Sequence, residues 1–133
     1  MENTPVYIFQ GDHANIHGKI KSLTFDHATS TSYYLIEVPE RVEEWPAGYV
    51  ISRTPAYKLR VPAADCALYF YTDTYVRIDG GLRGRVTSYQ FNQSTNQYDI
   101  TVFVSADEYG YHWSDYLPSD QTYVLPAHIL TRA

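Results

Sequence analysis

The chain has 133 residues, 14 of them tyrosine, with only 19 % charged and a formal net charge of −5. That length suits one ordinary domain or two very small ones sharing a core, and abundant Tyr beside little of the Leu, Ala, Glu and Lys that helices use points to an all-β chain. The mild acidic balance argues against a phosphate-tracking basic surface and is too small to mimic nucleic acid convincingly, the lone Cys66 excludes a disulfide framework or a thiolate metal site, and no apolar run reaches the roughly 20 residues of a bilayer span.

In chain order, residues 6–9 (Val6, Tyr7, Ile8, Phe9) read as a first strand, closed by Gln10-Gly11-Asp12. Residues 18–25 and 32–38 then form a hairpin across a polar turn at 26–31. In its first strand Ile20 is followed by Leu23 and Phe25. A strand keeps its apolar residues on one parity, so the change at Ser22 predicts a bulge or sharp coil, a device that bends a short sheet toward closure. Beyond the turn the alternation is regular, with Tyr34, Ile36 and Val38 on one face. The segment 39–49 follows as a rigid acidic loop with Glu40, Glu43, Glu44, Trp45 and Tyr49, framed by Pro39 and Pro46. The half ends on a strand at 57–61 and a short 3-10 turn at Pro62, since proline suits a first helical position.

The same order then returns. Residues 75–78 close on Asp79-Gly80-Gly81, and residues 84–91 pair with 98–104 across the turn 92–97. An ungapped shift of 66 superposes Gly18 on Gly84, Ser22 on Ser88, Phe25 on Phe91, Thr29 on Thr95 and Val38 on Val104. The parity change recurs, with Val86 followed by Tyr89 and Phe91, and Ile100, Val102 and Val104 take the places of Tyr34, Ile36 and Val38. Pro126-Ala127 matches Pro62-Ala63 at a shift of 64. Between the copies runs Cys66-Ala67-Leu68-Tyr69-Phe70-Tyr71, the most apolar stretch of the chain. Flexible linkers are polar, so this junction is expected to be buried or paired, with the two copies docked rigidly about an approximate two-fold axis.

Strand, glycine-bearing loop, kinked hairpin, acidic aromatic loop, strand and Pro corner, in that order, resemble the small SH3-like barrels. Residues 75–86, with Gly80, Gly81 and Gly84, are similar to the opening of KOW and Tudor-type barrels, and the second half resembles the small barrel subunit of photosystem I. The resemblance implies two five-stranded SH3-like barrels, at 1–66 and 67–133, and a non-catalytic docking or recognition role exercised by loops at one end of the barrel.

Two sets of residues are candidates for contact. The loop after Val104 gathers Tyr109, Tyr111, Trp113 and Tyr116 beside Asp107, Glu108 and Asp115. Aromatic faces with carboxylates attract cations, and Tyr and Trp are enriched at interfaces. These rings either cap the end of a small barrel or bind a partner protein through its basic surface. The alternative set is Arg77, Arg83 and Arg85, through which a KOW-like barrel contacts nucleic acid; the acidic balance and the first-half counterparts Asp12, His13, His17 and Lys19 argue against it.

The five histidines stand at 13, 17, 27, 112 and 128, and none is supported by a cysteine pair or an ordered carboxylate. His13 and His17 lie in a glycine-bounded loop, where their spacing of four sets no geometry. Cys66 precedes an apolar run and reads as a buried, inert thiol. Ser22 and Ser88 lack a nucleophile elbow, and Gly80, Gly81 and Gly84 lead into a strand where a phosphate cradle needs a helix. The expected function is a non-enzymatic adaptor or surface-blocking inhibitor without cofactor, metal or membrane partner. A start without a basic segment and apolar run adds the expectation of a cytoplasmic setting.

Overall fold

A computed structural model of the chain describes residues 2–44, 48, 50–106 and 119–133. The chain is all-β and divides into two compact units, Met1–Ala67 and Leu68–Ala133. In the first half the strands are β1 (Pro5–Ile8), β2 (Ile16–Asp26), β3 (Thr31–Val38), β4 (Arg41–Glu44), β5 (Val50–Thr54), β6 (Tyr57–Pro62) and β7 (Cys66–Leu68). The second half has β8 (Tyr75–Ile78), β9 (Arg83–Asn92), β10 (Gln97–Val104), β11 (Gln121–Pro126) and β12 (Leu130–Arg132). Each half builds a five-stranded antiparallel sheet, in the orders β6-β3-β2-β1-β7 and β11-β10-β9-β8-β12.

The pairing registers reproduce the repeat residue by residue. Ile20 faces Ile36, Ser22 faces Leu35 and Asp26 faces Thr31. Moved by 66, these become Val86 facing Val102, Ser88 facing Thr101 and Asn92 facing Gln97, all of which are observed. Both hairpins carry the expected bulge, and the extra residue is Lys21 or Thr87, one position before the serine. Both turns are built alike. Asp26 Oδ1 accepts from Ala28 N and Asn92 Oδ1 from Ser94 N, each at 2.9 Å. Ser30 and Asn96 both take the left-handed conformation, at φ 52° and 55°.

The repeat also reaches back ahead of the first strand, at a different shift. Asn3 and Asp73 are left-handed at φ 65° and 69°. Asn3 N donates to Ile20 O and Asp73 N to Val86 O, and Thr4 O and Thr74 O accept from Ile20 N and Val86 N. The equivalence here is 70, since Pro5 pairs with Lys19 as Tyr75 pairs with Arg85. Val6 therefore corresponds to Val76, one place from the alignment of residues 6–9 with 75–78. Four residues are missing from the loop between β8 and β9.

The two aligned glycines have a shared reason. A Cβ on Gly18 would stand 2.6 Å from both Glu37 O and Ile36 Cγ2, and one on Gly84 2.5 Å from Val102 Cγ1. The long strands approach each other there more closely than a side chain allows. Inward from these points lie the fully covered side chains, Val6, Ile8, Ile20 and Ile36 in the first half and Val76, Val86, Ile100, Val102 and Val104 in the second, all 0 % exposed. Each half closes its Pro corner with a 3-10 turn, at Ala63–Asp65 and Ala127–Ile129.

Two expectations are corrected. The sheets are not closed into barrels: three strands separate β6 from β7 and β11 from β12, and those edges are not paired with each other among the described residues. The acidic segment after Val38 is not simply a loop, because β4 and β5 pair as a separate hairpin in which Val42 faces Arg53 and Glu43 faces Ser52. The period-two alternation of Arg41, Val42 and Glu43 is that of a surface strand. The junction is paired and buried as expected: Cys66–Leu68 is the edge strand β7, and Tyr69 and Phe70 are 5 % and 6 % exposed.

Candidate functional site

The acidic aromatic residues Asp107, Glu108, Tyr109, Tyr111, Trp113, Asp115 and Tyr116 lie outside the described residues, as do Trp45 and Tyr49. The two ends of the long loop are described. β10 stops at Val104, β11 starts at Gln121, and Ala106 N donates to Asp120 Oδ1 at 2.8 Å. Ala106 and Asp120 are thereby joined beside the paired strands β10 and β11.

The alternative set is brought together on the outward face of the second sheet. Arg77 faces Arg83 and Tyr75 faces Arg85 across β8 and β9, while Phe103 of β10 faces Arg85 from the other side. Each cation is committed locally. The Arg85 guanidinium donates to Asp73 Oδ1 at 2.8 Å, Arg77 donates to Gly81 O at 3.1 Å, and Arg83 lies 4.3 Å over the ring of Tyr75. Gly84 opens a shallow recess of about 90 Å³ between Arg83, Arg85, Phe103 and Ser105. A guanidinium stacked on a ring and another neutralised by a carboxylate offer a phosphate backbone little uncompensated charge.

The matching face of the first half has a different chemistry. Tyr7 stacks on His17 at 4.6 Å and its hydroxyl donates to Asn15 Oδ1 at 2.9 Å. Burial holds His17 below its ordinary value, so the ring is neutral at physiological pH. A groove of about 430 Å³ runs beside it, lined by Asn15, His17, Val38, Pro39, Glu40 and Tyr57. Glu40 is already paired with Arg53 at 3.2 Å and Arg41 with Glu43 at 3.3 Å.

No group of three or more His, Cys, Asp or Glu among the described residues has a metal-holding arrangement. The Cys66 thiol donates to Pro62 O at 3.6 Å. Burial, reinforced by the Asp65 carboxylate, pushes it up to about 12, so it stands as a neutral thiol at physiological pH.

What sequence reasoning did not single out is the distal part of the β2–β3 hairpin. Past the bulge, Leu23 and Phe25 share a face with Tyr34 and Ser32, and they are 54 % and 51 % exposed. In the second half the corresponding Tyr89 and Phe91 stand with Tyr98, and Tyr69 lies over them at ring separations of 5.0 Å to Tyr89 and 4.7 Å to Tyr98. Phe91 meets Tyr98 edge-on at 5.3 Å. The legible signal was Ser32 standing where the repeat has Tyr98.

No model of a known protein family and no curated protein matches this chain.

Proposed function

We propose that this protein is a non-enzymatic protein-interaction module, an adaptor or an inhibitor that occupies a surface of a larger machine in the cytoplasm. In this reading each half is an SH3-like unit of the KOW, Tudor or photosystem I small-subunit type. The five strands with a 3-10 turn before the last, repeated twice, support that likeness. The contact is the acidic aromatic loop Asp107, Glu108, Tyr109, Tyr111, Trp113, Asp115 and Tyr116, set against a cationic patch of the partner.

The observation that carries the reading is apolar surface left in solvent on ordered strands. Val124, Leu23 and Phe25 are 65 %, 54 % and 51 % exposed. Leu23 and Phe25 lie on one face of the β2–β3 hairpin with Tyr34, and adjoining apolar side chains left in water are a feature of interaction surfaces. The test is affinity capture from extracts of the encoding organism. A partner protein retained by the wild-type chain should be lost with Trp113→Ala and kept when Arg77, Arg83 and Arg85 are all changed to Ala. Trp113→Ala that retains its partner, or that abolishes the folding transition, removes the loop from this role.

A further inference from the structure

The repeat builds two edge strands in the same position and gives them opposite surfaces. β6 ends the first sheet against β3, and β11 ends the second against β10. Pro62 faces Tyr33 as Pro126 faces Asp99, so Lys58 corresponds to Thr122 and Arg60 to Val124. On β6 both positions are cationic. Lys58 faces Glu37, and the Arg60 guanidinium lies 3.7 Å over the ring of Tyr33 and 4.0 Å from Asp26 Oδ2. Cations on an edge strand are a common protection against the addition of a further strand. β11 has lost both and carries no charge from Gln121 to Pro126. Its outward side chains, Thr122 and Val124, are exposed beside Phe103 and Thr101 of β10, and at 65 % Val124 is the most exposed large apolar side chain among the described residues. Among those residues β11 pairs with β10 alone. The other two sheet ends, β7 and β12, have only three residues each and make poor templates.

We propose that β11 is a self-association edge, at which two copies of this chain pair β11 with β11, antiparallel, about a two-fold axis at Tyr123, so that their second-half sheets become one continuous sheet. The occupant follows from what this strand meets when it is turned on itself. An antiparallel pair sets residues of the same face opposite each other. With Tyr123 on the axis, Thr122 stands opposite Val124 and Gln121 opposite Leu125. Thr122 and Val124 are both β-branched and suit a cross-strand pair, and each copy covers the exposed valine of the other. Pro126, which has no N–H to give to a ladder, falls outside the paired residues. The same operation on β6, with Leu59 on the axis, sets Lys58 opposite Arg60, and like charges directly opposite are repelled. Only one edge of the chain is therefore self-complementary, and the product is a closed dimer with no open series of copies. The net charge of −5 on each copy works against the contact, so salt that screens it strengthens the dimer. Self-pairing goes beyond the partner-binding reading and does not rest on it.

The test is sedimentation of the intact chain from ~10 µM to ~1 mM, the range of contacts smaller than a standard interface. A monomer should pass to a dimer and to nothing larger, at lower concentration as salt is raised. Thr122→Lys combined with Val124→Arg, which gives β11 the charges of β6, should weaken the dimer at least ~10-fold and leave the melting midpoint of dilute protein unchanged, since both side chains are exposed. Phe25→Ser, on the open face of β2, should leave the dimer intact. Amide exchange reads the contact without any substitution: the amides of Gln121–Leu125 that do not bond to β10 should gain protection as the dimer forms. A chain that stays monomeric throughout, a dimer that survives the charged double variant or is lost with Phe25→Ser, or a dimer that forms with no new protection in β11 overturns the proposal. A monomer whose β11 amides become protected only when a capped peptide of residues 120–127 is added assigns the edge to an extended partner segment and overturns the second copy equally.

Discussion

At the scale of the residue, two glycines and one thiol make sharp statements. Gly84 sits where an added Cβ meets Val102 Cγ1 at 2.5 Å and Phe103 O at 2.9 Å, and neither the buried valine nor the backbone carbonyl can withdraw cheaply. Gly84→Ala is expected to lower stability by about 1–3 kcal/mol, read from denaturant unfolding, and Gly18→Ala should behave likewise because Glu37 O stands 2.6 Å from its Cβ position. These glycines were legible as repeated letters; their reason, two strands in close approach, was not. Cys66 is the second case. Burial raises its folded-state value from 9.0 to about 12, so the folded chain favours the neutral thiol. The stabilisation is complete below pH 9 and is lost as the pH rises from there through about 12. Cys66→Ala should flatten that part of the stability profile, and thiol labelling at pH 8 should run far slower in the native protein than in denaturant.

The hairpin is the element on which the chain is built twice. Its bulge was readable from parity alone, since apolar residues at 20, 23 and 25, and again at 86, 89 and 91, cannot share a face without an extra residue between them. Deleting Thr87 removes that residue and turns Tyr89 and Phe91 to the opposite face. Loss of the cooperative transition is the expected result, by circular dichroism on heating. The same reading missed the β4–β5 hairpin, because the alternation over Arg41–Glu44 spans four residues and carries a single apolar side chain, Val42. Within β10 the alternation predicted three covered residues and the structure covers four, Tyr98, Ile100, Val102 and Val104. Ile100→Ala should cost about 2–5 kcal/mol, whereas Phe25→Ser, on the open face of β2, should change the unfolding midpoint little.

Across the whole molecule the charge and the arginine pairing point the same way. A net charge of −5 and three outward arginines each held by a neighbouring group predict that mixed-sequence DNA and RNA are not retained in a gel shift even at low salt. A retained band whose affinity falls steeply with added salt would restore the nucleic-acid alternative. The duplication, the bulges, the turn positions and the Pro corners were determined by the sequence itself, because all of them follow from local parity, turn chemistry and the spacing between copies. Whether the sheets close, and which apolar faces stay open, was decided only in three dimensions. Parity says that Leu23 and Tyr89 lie on equivalent faces; it cannot say that Tyr69, 20 positions before Tyr89 in the chain, folds back to bring its ring 5.0 Å from that of Tyr89.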